Sequence, residues 1–320
     1  MDGATDKWLV VVNPKASIGK CGKDWPEIQR LLTDEGIDFD AVLTEHPRHA
    51  IDLVRDLVTE KGYRKVAAVG GDGTNNEVIN GLFTQQRIPT REIKMGILPV
   101  GTGNDWRRTF GFTVDYRENI GVLKREQVFL HDVGKVTYYN DGDPRERYFL
   151  NGAGTGLDEM VCNKTNRMKS QGKGGTVRYL MSVISSFFSY KSPHVRVEVD
   201  GELVFDDTIL SLSVGNGRYN GGGMMMMPNA VPNDGRFDLT VIKRISLLKF
   251  AANVGHLYDG TFVDRLKEVS LFQGSRLRIT SLPSHHLLLE TEGETLTNSP
   301  FDFEMLPQAI QMVVPNPSLF

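Results

Sequence analysis

Eight residues, Gly70-Gly71-Asp72-Gly73-Thr74-Asn75-Asn76-Glu77, have the types and spacing that phosphate chemistry needs. Three glycines let a backbone turn sharply and approach a ligand with no Cβ in the way. The turn follows Lys65-Val66-Ala67-Ala68-Val69, a short apolar run that reads as a buried parallel strand. It precedes Val78-Ile79-Asn80-Gly81-Leu82-Phe83, whose apolar residues fall at helical spacing. Thr74 and Glu77 have capping-box spacing, so the helix is expected to begin just after Thr74. Exposed N–H groups and the positive dipole end of that helix would hold a phosphate. Asp72 is misplaced in an anion site unless a divalent cation bridges it to the phosphates. An ordinary strand-to-helix turn steadied by Asp72 accounts for the same octapeptide.

Other residues invite chemistry less strongly. His46 and His49 have the i, i+3 spacing of metal ligands, but Pro47 and a helix start favour a surface cap. Met224-Met225-Met226-Met227 suits an irregular apolar ligand or a core, and in a strand at most half of the run would face one way. Val177, Leu180, Met181, Ile184, Phe187 and Phe188 form a helical stripe behind Lys164, Arg167, Lys169 and Lys173. That segment reads as a core-facing helix after a solvated loop, or as a membrane-contacting patch.

The elements that position the octapeptide follow from pattern. Lys7 to Val12 is a strand candidate broken at Asn13-Pro14, and a mixed loop runs to Lys23. Asp24 and Glu27 would cap a helix ending near Gly36, Phe39 to Leu43 would be a second strand, and Arg48 to Lys61 a second helix ending at Gly62. After the octapeptide, Lys94 to Leu98 would be a fourth strand leading into a second glycine turn, Pro99-Val100-Gly101-Thr102-Gly103-Asn104-Asp105. This β-α alternation predicts a parallel sheet with helices on both faces and ligands beyond the carboxyl ends of its strands.

Beyond Arg125 the pattern becomes antiparallel. Strands are expected at Val128–Leu130, Lys135–Tyr139, Arg147–Leu150, Val195–Val199, Thr208–Val214, Phe237–Ile242, Arg276–Thr280 and Leu287–Glu290. Asp141-Gly142 and Asp200-Gly201 read as hairpin turns. Helices are expected over about Thr176 to Tyr190 and Ser246 to Tyr258. The expected architecture is an α/β nucleotide-binding domain over residues 1–127 and a β-rich, sandwich-like domain over 128–305.

With 40% hydrophobic and 24% charged residues the composition is that of globular cores, not of a disordered chain. A net charge of −3 gives no electrostatic case for nucleic acid. Cys21 and Cys162, far apart, fit a reducing compartment better than a disulfide scaffold. No apolar run reaches membrane-spanning length and the N-terminus lacks a secretory pattern, so a cytoplasmic protein is expected.

Taken in order, the Gly70–Thr74 turn, Asn76-Glu77, Asn80-Gly81-Leu82 and Leu98–Asp105 resemble the diacylglycerol kinase catalytic-domain family of lipid kinases, which includes sphingosine and ceramide kinases. The resemblance continues through Asn13-Pro14, Asn151–Gly156, Gly215-Asn216-Gly217, Gly221–Met224 and Asp234–Asp238. It implies an α/β nucleotide domain, a β-rich second domain, and a tail of about residues 306–320 that returns to the first. It also implies ATP held by Asn13, Gly70, Gly71, Gly73, Thr74, Gly101, Thr102, Gly103 and Asn104, with Asp72 engaging magnesium. The family's Asp-Gly-Glu triplet, whose Glu is the general base, matches Glu292-Gly293-Glu294 and places that role on Glu294. Glu292 departs from the usual Asp, and its longer arm puts any tight contact in question; without the family pattern the triplet would read as a solvated acidic turn. Asp234, with the carbonyls of Val231 and Arg236, matches a structural magnesium site or is an Asp-Gly turn. The implied partner is a lipid substrate at the membrane surface, met by a peripheral cytoplasmic enzyme, and a homodimer is compatible. NAD kinase, which shares the Gly-Gly-Asp-Gly-Thr turn, and a non-catalytic nucleotide- or lipid-binding regulator are the alternatives.

Overall fold

The structure is a computed structural model that describes residues 5–101, 104–140, 142–156, 192–282, 287–296 and 299–320. The expected helix at Thr176 to Tyr190, its basic approach, Cys162, Asp141, Thr102 and Gly103 lie outside the described residues. The chain divides into two compact units: residues up to Val133 with Pro232–Asp234 and Leu306–Phe320, and Gly134–Val231 with Gly235–Met305.

The first unit is α/β. Its parallel strands are β1 (Trp8–Val12), β2 (Phe39–Leu43), β3 (Lys65–Gly70) and β4 (Lys94–Pro99), in the order β4-β3-β1-β2. Val10 lies opposite both Ala41 and Ala67, and Ala67 opposite Gly96. β1 and most of β3 and β4 are buried throughout, which is why they read as unbroken apolar runs. The helices between them are α1 (Ala16–Asp34), α2 (His49–Lys61), α3 (Asp72–Thr84), α4 (Asp105–Phe110) and α5 (Tyr116–Arg125). α2 packs on α3, and α1 on α5. The chain's last strand sets Gln311 and Met312 parallel to Lys94 and Met95 of β4.

Two helix starts differ from expectation. α3 begins at Asp72 with Gly71 as its cap, not after Thr74. The capping box fails because both of its side chains are engaged elsewhere. Glu77 accepts the backbone N–H groups of Arg48 (2.9 Å) and Ala50 (3.2 Å), and so caps α2. Thr74 Oγ1 accepts from Asn13 Nδ2 at 3.1 Å. The loop expected up to Lys23 is largely helical, broken by left-handed backbone at Ser17, Ile18 and Gly19, so Asp24 lies inside α1 and caps nothing. There its carboxylate accepts from Lys20 and from Tyr116 Oη.

The second unit is antiparallel. The hairpin of β5 (Val128–Asn140) and β6 (Asp143–Phe149) pairs Val136 with Arg147. The two strands expected before Asn140 are one, because the buried polar pair His131-Asp132 interrupts its apolar run without interrupting its backbone. β8 (His194–Val199) and β9 (Glu202–Gly215) meet at Asp200-Gly201, both with positive φ. β8 pairs with β12 (Arg276–Ser281), and β12 with the start of β15 (Phe301–Val313). The far half of β9 pairs with β7 (Gly152–Gly156) and β10 (Phe237–Lys243), and β10 with β11 (Val269–Gly274). β7 also pairs with β13 (Leu289–Thr291), which turns into β14 (Glu294–Leu296). The core collects inward residues such as Val197, Leu212, Leu239, Ile279 and Phe301. Met226 and Met227 are buried in a second cluster with Ile242 and Phe262, so half of the methionine run is core. The helix expected from Ser246 is α6 (Leu247–Asn253), capped by Ser246; short helices α7 (His256–Asp259) and α8 (Phe262–Arg265) follow beyond Gly255. Among the described residues no helix is long and apolar enough to cross a membrane.

Replacing Glu77 by Ala removes a charged cap from two N–H groups of α2 and is expected to cost about 1–2 kcal/mol in urea unfolding, with Gln recovering part of it.

Candidate active site

At the carboxyl ends of the parallel strands, three loops are fastened to one another by hydrogen bonds. Asn13, just past β1, donates its backbone N–H to the Val69 carbonyl at 3.0 Å. Its amide oxygen accepts from Lys15 N–H at 3.1 Å and its amide nitrogen holds Thr74, so the side chain joins the loop after β1 to the one after β3. Past β4, Val100 donates to the Gly70 carbonyl at 2.8 Å, and Asn104 Nδ2 donates to the same oxygen at 3.4 Å. Ser17 Oγ, from the left-handed break in α1, donates to the Val100 carbonyl at 2.9 Å. Two glycines are demanded by this crowding. A Cβ on Gly70 would lie 2.4 Å from Thr74 Oγ1, and one on Gly101, whose φ is +102°, would lie 2.0 Å from Ser17 Oγ. A Cβ on Gly71 would meet nothing within 4 Å among the described residues.

Asp72 ties the two glycine turns together. Its carboxylate accepts the Asp105 N–H at 2.9 Å and, at the edge of hydrogen-bond range, the Trp106 N–H at 3.4 Å, both in the first turn of α4. Its charge is thus accommodated by backbone donors as well as by any cation. Trp106 carries the connection inward: its indole N–H donates to His131 Nε2 at 3.1 Å, while His131 Nδ1 donates to the Asp132 carbonyl. The Asp132 carboxylate accepts the Gln308 N–H at 2.6 Å. His131 is fully buried amid Trp106, Phe110 and Phe129, and burial lowers its pKa to about 4. Arg107 is buried with its guanidinium on the carbonyls of Phe112 and Thr113; burial, then the neighbouring Arg108 charge, depress its pKa against the opposing pull of Asp72 and Asp105.

The second unit carries the acidic triplet. Glu292 (φ +49°) and Gly293 (φ +94°) form a tight turn between β13 and β14. Glu292 Oε1 accepts the N–H groups of Leu150 (2.9 Å) and Asn151 (2.6 Å). The longer arm of Glu therefore makes the close contact rather than losing it. Asn151 is itself held, accepting at its carbonyl from the N–H groups of Asn216 and Gly217, both at 2.8 Å, and donating Nδ2 to the Tyr219 carbonyl at 2.7 Å. Glu294, first residue of β14, has Oε2 2.5 Å from Arg147 Nη2. Asp234 and Arg236 are exposed; Asp234 belongs to the short segment grouped with the first unit, Val231 and Arg236 to the second.

The first-unit rim carries buried polar atoms that a polar ligand would engage. Asn104 Oδ1 and both amide atoms of Asn75 are, among the described residues, buried without a hydrogen-bond partner, which polar company from a ligand or water would satisfy. Among the described residues no cluster of three or more His, Cys, Asp or Glu could hold a metal. Magnesium typically relies on one or two carboxylates plus phosphates and water, so a single Asp72 suffices on that chemistry. His46 and His49 stack ring on ring at 4.5 Å, with His49 Nδ1 accepting the Glu45 N–H of the loop that leads into α2, while the N–H groups of α2 itself are capped by Glu77. Sequence reasoning missed Ser17, Asn75, Trp106, His131 and Arg147. Ser17 bonds to Val100, Trp106 to His131 and Arg147 to Glu294 across 83, 25 and 147 positions, and no local pattern signals such pairs.

Residues 7–136 match the diacylglycerol kinase catalytic domain, and residues 152–314 match the YegS C-terminal NAD kinase beta sandwich-like domain. A diacylglycerol kinase of Mycobacterium tuberculosis is 28% identical over 312 residues, covering 97% of this chain and 95% of its own. A diacylglycerol kinase of Bacillus subtilis is 30% identical over 251 residues, covering 78% and 77%. A solved diacylglycerol kinase structure from Bacillus anthracis has the same fold, with a TM-score of 0.70 at 23% identity over 98% of both chains. An α/β unit with two glycine turns, followed by a β-rich unit with an acidic hairpin, defines a kinase of this two-domain type. The chain belongs to the diacylglycerol kinase family, with a YegS-type C-terminal domain.

His131 gives the first unit a pH signature. The unfolded imidazole takes its proton near pH 6.5 and the folded one only near 4. Its contribution is complete above pH 6.5 and is lost as pH falls toward 4, about 3 kcal/mol in all. His131→Gln, which keeps an acceptor for Trp106 without titrating, is expected to flatten the pH dependence of urea-unfolding free energy in that window.

Proposed function

We propose that the chain is a magnesium- and ATP-dependent lipid kinase that transfers the γ-phosphate to the hydroxyl of a diacylglycerol-like or sphingoid-like lipid at a membrane surface. The observation that carries this reading is the joining of both glycine turns through the Asp72 carboxylate and the Gly70 carbonyl. Phosphoryl transfer asks a protein mostly to position phosphates and balance charge, and a rim of this rigidity does the first. ATP supplies the phosphoryl group and magnesium spreads its charge.

The residues divide the remaining tasks. Gly70, Gly71, Gly73 and Thr74 with Gly101, Thr102, Gly103 and Asn104 cradle the phosphates, and Asn13 holds Thr74 in place. Asp72 is the carboxylate that would engage the metal–phosphate group, beside the backbone N–H groups it accepts from the start of α4. Glu294 accepts the proton of the attacking lipid hydroxyl, and Glu292 supports the hairpin that carries it. A structural magnesium on Asp234 and the Val231 and Arg236 carbonyls is a secondary part of this reading.

The purified chain, given Mg·ATP and an extracted lipid mixture, is expected to yield a phosphorylated lipid by mass spectrometry. Phosphorylation of NAD instead, or ATP binding with no transfer to any lipid, would overturn the reading. Asp72→Asn is expected to lower kcat by roughly 100-fold with the circular dichroism spectrum unchanged, because it removes charge and little volume. Gly101→Val forces a branched side chain into a left-handed position, so ATP affinity measured by calorimetry is expected to fall about tenfold or more.

A further inference from the structure

We propose that Arg147 is the positioning residue for Glu294, an inference that rests on the reading of Glu294 as the base. Arg147 lies on β6, and its side chain is 4% exposed, whereas that of Glu294 is 28% exposed. One oxygen of Glu294 is fixed by the guanidinium at 2.5 Å, and among the described residues the other makes no hydrogen bond. A base must sit within hydrogen-bond reach of the proton it takes, and a free Glu side chain spreads over many rotamers. Anchoring Oε2 to a buried guanidinium fixes the direction of the carboxylate and turns Oε1 toward a hydroxyl.

Stability alone is a poor explanation for the pair. A buried ion pair is often no more stabilising than apolar residues of similar volume, and here one partner stays partly hydrated. The surroundings point the same way. Glu292, two residues before Glu294, is bonded to Leu150 and Asn151, three and four residues after Arg147. The β13–β14 hairpin is thus fastened to one stretch of chain at two points, one through backbone and one through Arg147. Each point is needed to fix both the height and the direction of the Glu294 carboxylate.

The test is steady-state kinetics with Mg·ATP and 1,2-dioleoylglycerol in phosphatidylglycerol vesicles. Arg147→Leu is expected to lower kcat by about 10- to 100-fold with the KM for ATP unchanged, the scale of a misplacement near one ångström. Arg147→Lys, which keeps charge but loses the planar fork, is expected to recover part of that loss, and it carries the test should the Leu variant not fold. In a Glu294→Gln background the same substitutions are expected to cost nothing further in kcat. An unchanged kcat in Arg147→Lys, or an equal loss with and without the Glu294 carboxylate, would show an ordinary structural ion pair and overturn the proposal. Failure of the underlying reading looks different: no lipid product from the wild type, or near-normal kcat in Glu294→Gln alone, removes the base and the positioning role with it.

Discussion

One carboxylate accepting a backbone N–H from a helix it does not belong to sets the shape of the first unit's rim. Asp72 sits at the start of α3, yet its hydrogen bonds run to the start of α4. Each glycine turn alone would be a mobile link between a strand and a helix. Asp72 and the Gly70 carbonyl fasten the two to each other. The demand spreads outward. Gly70 must lack a Cβ because Thr74 is pressed against it, and Thr74 is held there by Asn13 from the end of β1.

Behind that rim the same logic runs into the core. α4 is short, and its place is fixed by Trp106, whose indole finds its acceptor in a buried histidine. An imidazole with no access to water must stay neutral to accept that bond, and its other nitrogen is satisfied by the Asp132 carbonyl. Asp132 in turn receives the Gln308 N–H of the last strand. A polar pair in a strand that otherwise reads as apolar is therefore a set of satisfied hydrogen bonds, tying β5, α4 and the chain's final strand into one frame.

The sequence made the buried strands legible because burial on both faces leaves apolar runs such as Trp8–Val12 without alternation. The glycine turns were legible because few residue types tolerate their backbone. Helix starts were not. The Thr74–Glu77 spacing is a sound local signal, but Glu77 has a stronger claim on it from Arg48 and Ala50, nearly thirty residues upstream. His131-Asp132 hid the continuity of β5, and three left-handed residues inside α1 have no local signature beyond Gly19. For the candidate site the polar residues of the rim could be named from the chain, while their mutual bonds could not. The pairing of Arg147 with Glu294 spans 147 positions and has no trace in the spacing of either.

The turn at Glu292-Gly293 sets conformational preference against contact. Both residues have positive φ, the backbone for which Asn-Gly is the favoured dipeptide. A campaign to raise thermal stability by idealising turns would choose Glu292→Asn, and the isolated hairpin would gain from it. That exchange shortens the arm and strips the charge that holds Leu150 and Asn151. Sequence optimisation for a firmer hairpin would thus release the very stretch to which the hairpin is moored, and the strained glutamate is best understood as backbone comfort traded for reach.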